Sequence, residues 1–201
     1  MSSDDAKPQE TKMDEEASAY SSAARRRSKQ QGLVIVNTGE GKGKTSAALG
    51  VLFRAWGRDF NVRMFQFIKH STAKFGEHRA AERIGLQIES LGDGFTWLSK
   101  DMDETTALAV AQWQRCQEAI LRGEEDVIVL DEFTYAMHYE WVPVAEVIDV
   151  LSRRPREMHV IITGRYASQE LVEFADLVTE MKLIKHPYKE QGIRAQPGIE
   201  Y

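Results

Sequence analysis

The sequence predicts a three-layer α/β domain with a mostly parallel central sheet, on three observations. Short, wholly apolar runs alternate with stretches of helical period, a glycine- and lysine-rich loop joins the first run to the first helix, and a later run ends on two adjacent carboxylates. At 201 residues the chain is long enough for one such domain with a sizeable core and too short for two of ordinary size.

Residues 1–31 hold Ser, Ala and acidic then basic side chains with almost no bulky apolar residue. Such a segment cannot bury enough surface to offset its ordering entropy, so it reads as a tail, with 32–201 as the folded domain. Arg25, Arg26 and Arg27 within it read as a solvated charge run. Leu33–Val36, Val62–Ile68, Val127–Leu130 and Val160–Ile162 are apolar enough to be strands buried on both faces. A helix is expected from Lys44 to Gly57, with the glycine just past its end. A second is expected from Met102 to Arg122, opened by Asp101 and Glu104 as a capping box. Its Ala109, Trp113, Cys116 and Ile120 recur at spacings of four, three and four, which puts them on one face and makes Trp113 and Cys116 packing residues. A third is expected to start with Pro143 at its first position and to stop before Pro155.

Composition narrows the partners. With 26 basic against 31 acidic residues the net charge is -5, unlike the concentrated basic face that a phosphate backbone requires, so nucleic acid is not expected as a partner. The lone Cys116 rules out an intrachain disulfide framework and a multi-cysteine zinc ribbon. No apolar run approaches the roughly 20 residues that span a bilayer, and the N-terminus lacks a signal-peptide core. A cytoplasmic protein without a membrane partner is expected.

The segment Asn37-Thr38-Gly39-Glu40-Gly41-Lys42-Gly43-Lys44-Thr45 lies between the first strand and the first helix, the context a P-loop requires. Glycines let successive backbone N–H groups curl around one anion, and the helix N-terminus adds partial positive charge. Lys44 supplies a point charge to phosphate, and the Thr45 hydroxyl is placed to ligate Mg²⁺, with Ser46 following in the first turn. The general pattern would put glycine at position 38, where Thr38 stands, and the first glycine comes one residue late at Gly39. Asp131-Glu132 follows the Val127–Leu130 strand as a Walker B element does, which in a parallel sheet brings both carboxylates to the edge that carries the loop. Asp131 is the metal candidate, directly or through water. Glu132 would activate water in an ATPase, or only position metal or substrate in a transferase. Arg165, after Ile162-Thr163-Gly164, could clamp phosphates from the same edge, or be a surface arginine with an ion-pair role. These features make the expected class a P-loop NTPase with a RecA-like sheet.

A P-loop does not name a chemistry. No Asn-Lys-x-Asp guanine-reading motif is present, and one cysteine cannot build the zinc lasso usual in thymidine kinases. The chain resembles the corrinoid adenosyltransferases of the CobA, CobO and BtuR type over about Gly32 to Tyr201. The resemblance rests on Thr38-Gly-Glu-Gly-Lys-Gly-Lys-Thr45, Gln66-Phe-Ile-Lys69, Gly94-Phe-Thr-Trp97, Asp131-Glu-Phe-Thr-Tyr135, Thr163-Gly-Arg165 and Gly192-Ile-Arg-Ala-Gln-Pro-Gly-Ile-Glu200. The late first glycine is the family's own form, whereas His70 stands where a glycine is expected.

The resemblance implies transfer of the 5′-deoxyadenosyl group of ATP to the Co(I) of a corrinoid, a cobalamin, cobinamide or cobyrinic acid derivative, with release of triphosphate. Reduced cobalt is then the nucleophile, which accounts for the lack of a conspicuous Ser, His or Cys nucleophile. It further implies that Lys44, Arg165, Glu132 and the loop from Thr38 to Ser46, Glu40 and Lys42 included, serve ATP. Thr45 and Asp131 would hold Mg²⁺, or Mn²⁺ in its place. Phe95 and Trp97 would pack below the corrin and displace its lower ligand, easing reduction to Co(I). A homodimer, an electron-donor protein such as flavodoxin or a flavin reductase, and a tail segment Ala17–Gln30 that covers the partner's site complete the implied picture. A RecA-like ATPase and an ATP-dependent corrinoid-binding chaperone are the alternatives.

Overall fold

The computed structural model describes residues 31–70, 75–92 and 102–200. Six strands form its sheet: β1 (Val34–Thr38), β2 (Val62–His70), β3 (Gln87–Gly92), β4 (Val127–Asp131), β5 (His159–Thr163) and β6 (Leu177–Glu180). They lie in the order β3-β2-β4-β5-β1-β6, and every pairing is parallel, a stricter arrangement than the mostly parallel sheet expected. The loop-bearing strand β1 and the carboxylate-bearing strand β4 are separated by β5, which is the RecA-like arrangement. Helices α1 (Lys44–Trp56), α2 (Gly76–Ile84), α3 (Met102–Arg122), α4 (Thr134–His138), α5 (Val144–Ser152), α6 (Gln169–Phe174) and α7 (Pro187–Gln191) intervene or follow.

Strand alternation divides the core between the two sheet faces. All five residues of β4 are buried. Its Val127 and Val129 meet Ala48, Leu52 and Ala55 of α1, while Ile128 and Leu130 face the cluster that holds Trp113, Cys116, Val147 and Leu151 of α3 and α5. Each large aliphatic buried this way contributes about 1.5–3 kcal/mol. The expected face of α3 is the buried one: Ala109, Trp113, Cys116 and Ile120 are at most 3% exposed. Burial also pushes the Cys116 thiol well above its ordinary pKa, which suits a packing role. Trp113 stacks on Phe133 at 4.9 Å between ring centres, Phe133 lies 4.4 Å from Phe67, and the Trp113 indole N–H donates to Glu146 at 2.7 Å. This aromatic stack supports the turn that follows Asp131.

Three expectations shift by local chemistry. Pro143 caps α5 with extended backbone (ψ 131°) instead of opening it. Gly57 stays right-handed (φ -67°) because its N–H still bonds Phe53 O within the last turn of α1. Strand β2 runs two residues past Ile68, to His70. Asp101, the expected capping residue of α3, lies outside the described residues, as do residues 1–30.

Candidate functional site

The five residues between β1 and α1 wrap tightly because part of the chain that follows β6 lies directly against them. Gly39 has φ 96°, and a Cβ there would sit 2.5 Å from Met181 O; at Gly41 it would sit 2.7 Å from the same atom. At Gly39 only glycine tolerates both the left-handed backbone and that approach, and at Gly41 the close approach alone leaves no room for a Cβ. Gly41 N–H donates to Met181 O at 2.6 Å, and Met181 N–H donates to Thr38 O at 2.8 Å. Lys44 is 7% exposed, and its ammonium donates to Gly39 O at 2.9 Å and Gly41 O at 2.6 Å, so it sits inside the curl of the loop. Burial lowers its pKa; Arg165 and Lys42 add to this, while Glu132 and Glu40 oppose it.

Opposite the loop, Asp131 ends β4 fully buried. Its Oδ1 accepts from the hydroxyls of Thr45 and Thr163, both at 2.7 Å, and its Oδ2 accepts from Gln66 Nε2 at 3.2 Å. Glu132 follows with φ 59°, a left-handed conformation that costs a non-glycine residue roughly 1–2 kcal/mol. Its N–H donates to Thr163 Oγ1 at 2.9 Å, which holds the turn. Gly164 (φ 136°) lets the next strand end turn beside Thr134, whose hydroxyl donates to Arg165 O. Arg165 reaches back to pair with Glu40 at 2.9 Å. Tyr135 lies close by; burial, with the charge of Glu132 added and Arg165 opposing, pushes its pKa up to about 12, so the phenol stays protonated.

The sheet therefore brings Thr38 through Thr45, Asp131, Glu132 and Arg165 to one edge. Within that set, the Thr38 hydroxyl accepts from Ala167 N–H at 3.3 Å, and Lys42 is ion-paired with Glu200 near the C-terminus. Ser46 is exposed in the first turn of α1. Phe95 and Trp97 lie outside the described residues. Several residues joined to the site received no role from sequence reasoning: Gln66, Thr163, Met181, Glu200, His78 and Ser90. The available signal for the first two was a polar residue within or directly after an apolar buried strand, which must find a partner.

Among the described residues no three or more His, Cys, Asp or Glu cluster as metal ligands. The Thr45 hydroxyl and the Asp131 carboxylate, joined by their own hydrogen bond, are hard oxygen donors that suit Mg²⁺, an ion that keeps water and phosphate oxygens as its other ligands.

A loop curled around a buried lysine, facing a strand-end carboxylate bonded to the loop's own threonine, defines a P-loop nucleotide-binding protein. A family model described as ATP:corrinoid adenosyltransferase BtuR/CobO/CobP matches residues 30–201, and the chain belongs to that family. A corrinoid adenosyltransferase of Sinorhizobium sp is 42% identical over 86% of this chain and 81% of its own length. The corrinoid adenosyltransferase CobA of Salmonella typhimurium is 40% identical over 86% and 87%. Among solved structures, the flagellar accessory protein FlaH from Methanocaldococcus jannaschii overlays with a TM-score of 0.48 at 11% identity, covering 75% of this chain and 71% of its own, a likeness too loose to bear on function. No helix among the described residues is long and apolar enough to cross a membrane.

Proposed function

We propose that this chain moves the 5′-deoxyadenosyl group of ATP onto the cobalt of a reduced corrinoid. The electron pair of Co(I) forms the bond to C5′ as the C5′–O bond breaks, and the triphosphate leaves with that bond's electrons. No protein base is required, so the task of the protein is to hold ATP in line and to neutralise the departing charge. The observation that carries this reading is the Thr45 to Asp131 hydrogen bond beside the buried Lys44, which aligns the phosphate loop with an acidic strand end.

Lys44, the loop amides and Arg165 take the triphosphate oxygens, and Lys42 assists once it exchanges Glu200 for phosphate. Arg165 makes the same exchange with Glu40. Thr45 and Asp131 would hold Mg²⁺, or Mn²⁺, which supplies charge neutralisation on the leaving group. Glu132 orients these groups, and Phe95 with Trp97 occupy the lower face of the corrin. The enzyme works in the cytoplasm as a homodimer and receives its electron from a donor such as flavodoxin or a flavin reductase.

Anaerobic incubation with ATP, Mg²⁺ and chemically generated Co(I) corrinoids tests the proposal. The expected products are triphosphate and an adenosylated corrinoid with the spectrum of a Co–C bond. ADP and phosphate formed without corrinoid would indicate a RecA-like ATPase instead. Trp97→Ala is expected to impair Co(II) reduction while ATP binding stays intact; equal loss of both would remove Trp97 from the cobalt side.

A further inference from the structure

The parallel register sets a row of polar groups across the carboxyl edge of the sheet: Gln66 of β2 pairs with Ser90 of β3 on one side and with Asp131 of β4 on the other. Gln66 is fully buried in an otherwise apolar strand, so its amide must be satisfied, and the direction in which it points has consequences. An amide reversed by half a turn would aim its carbonyl oxygen at the Asp131 carboxylate. Three contacts prevent this. Phe75 N–H donates to His78 Nδ1 at 3.1 Å, which leaves the ring proton of the neutral imidazole on Nε2. Nε2 lies 2.7 Å from Gln66 Oε1 and 3.1 Å from Ser90 Oγ, so its proton goes to the nearer amide oxygen, and the Ser90 hydroxyl donates to the same oxygen at 2.9 Å. Two donors converge on Oε1, so the N–H₂ end faces Asp131 Oδ2 at 3.2 Å.

We propose that His78 is a positioning residue for the metal-binding carboxylate: acting with Ser90 through Gln66, it holds Asp131 in the orientation that receives Mg²⁺. The inference rests on the reading of Thr45 and Asp131 as the metal site. Neither His78 nor Ser90 has to touch ATP, metal or corrinoid for this role. Outer partners of this kind, which fix a ligating group through its other hydrogen bonds, typically change metal affinity by roughly 10- to 100-fold when removed. Helix α2 and strand β3 thereby gain a stake in the metal site although they flank the sheet at its far edge.

The test is a Mg²⁺ titration of ATP binding by the full chain, without corrinoid, beside ATP binding in EDTA. His78→Leu keeps the volume and removes the donor; half-saturation by Mg²⁺ is expected to rise about 10-fold, while ATP affinity in EDTA stays at the wild-type value. His78→Gln places an amide N–H close to the position of Nε2 and is expected to restore Mg²⁺ affinity to within about threefold. At saturating Mg²⁺ the His78→Leu enzyme is expected to regain the wild-type rate of corrinoid adenosylation. Loss of ATP affinity to the same extent with and without Mg²⁺ would show a packing role and overturn the proposal, as would an unchanged titration. If His78→Leu fails to fold, Ser90→Ala takes its place: a rise of about threefold is expected from losing one of the two donors, and no rise overturns the proposal. A wild-type chain that adenosylates corrinoids but binds ATP indifferently to Mg²⁺ would remove the metal site and this inference together while leaving the transferase reading in place.

Discussion

Thr163→Val isolates what one buried hydroxyl contributes to the site. Thr163 is fully buried, and its Oγ1 both donates to Asp131 Oδ1 at 2.7 Å and accepts from Glu132 N–H at 2.9 Å. Valine keeps the shape and removes both bonds. The charge-assisted bond to the carboxylate is worth about 1.5–3 kcal/mol, and losing the bond to the part-buried Glu132 N–H costs about 0.5–1.5 kcal/mol more. Because Asp131 Oδ1 keeps Thr45 and Oδ2 keeps Gln66, the two losses do not add fully, and about 3 kcal/mol is the expected total. For a domain of this size each kcal/mol lowers Tm by about 2–4 °C, so a fall of about 6–12 °C is expected in thermal unfolding followed by circular dichroism. Thr163→Ser keeps the hydroxyl and loses one methyl, at a cost of about 1 kcal/mol. Serine and valine variants of equal stability, or a valine variant within about 0.5 kcal/mol of wild type, would show that the hydroxyl is not what holds the Asp131-Glu132 turn.

Burial lowers the Lys44 pKa below its ordinary 10.5, so the folded state binds this proton less tightly than the unfolded chain; the penalty is fully present below the folded value and is relieved as pH rises from there toward 10.5. Lys44→Met is therefore expected to raise the Tm of the ATP-free protein at pH 7 and to abolish the rise in Tm that ATP produces, both read by differential scanning fluorimetry. Gly164→Ala places a Cβ 2.1 Å from Thr134 Oγ1 at φ 136°, and a loss above about 3 kcal/mol in urea unfolding is expected. Glu200→Gln breaks only the partly exposed pair with Lys42, so unfolding free energy is expected to change by less than about 1 kcal/mol, with ATP bound more tightly in a direct titration because Lys42 no longer has to leave a carboxylate.

The strands that were legible in the sequence share one property, an apolar run packed against helices on both faces of the sheet. Strands β1, β2, β4 and β5 occupy the middle of the sheet, where the side chains short of the carboxyl edge are mostly apolar for packing reasons, and α1, α3 and α5 each lay a buried stripe on them. Strands β3 and β6 lie at the two edges. Edge position leaves Gln87 and Glu89 in β3 and exposes Leu177 and Glu180 in β6, so neither reads as an apolar run. The short helices α4, α6 and α7 span five or six residues, less than two turns, too few for a helical period to register.

The site divides along a similar line. Thr38 to Thr45 were legible because a phosphate loop demands particular residue types at fixed spacing between a strand and a helix, and a spacing rule survives without coordinates; Asp131 and Glu132 drew their weight from following an apolar strand in a chain with that loop, and Arg165 drew its phosphate reading from the family resemblance. The groups that tune those residues follow no spacing. His78 reaches Asp131 only because α2 sits against the end of β2 and because the register places Gln66 between Ser90 and Asp131. Met181 reaches Gly41 only because β6 pairs with β1 and brings the residue after it over the loop. Both interactions are consequences of strand order, and a parallel sheet fixes strand order through crossovers that no local window of sequence contains. A motif thus names residues by type and spacing, whereas the sheet decides which neighbours restrain them, and the Mg²⁺ dependence of ATP binding is where the second contribution is measurable apart from the first.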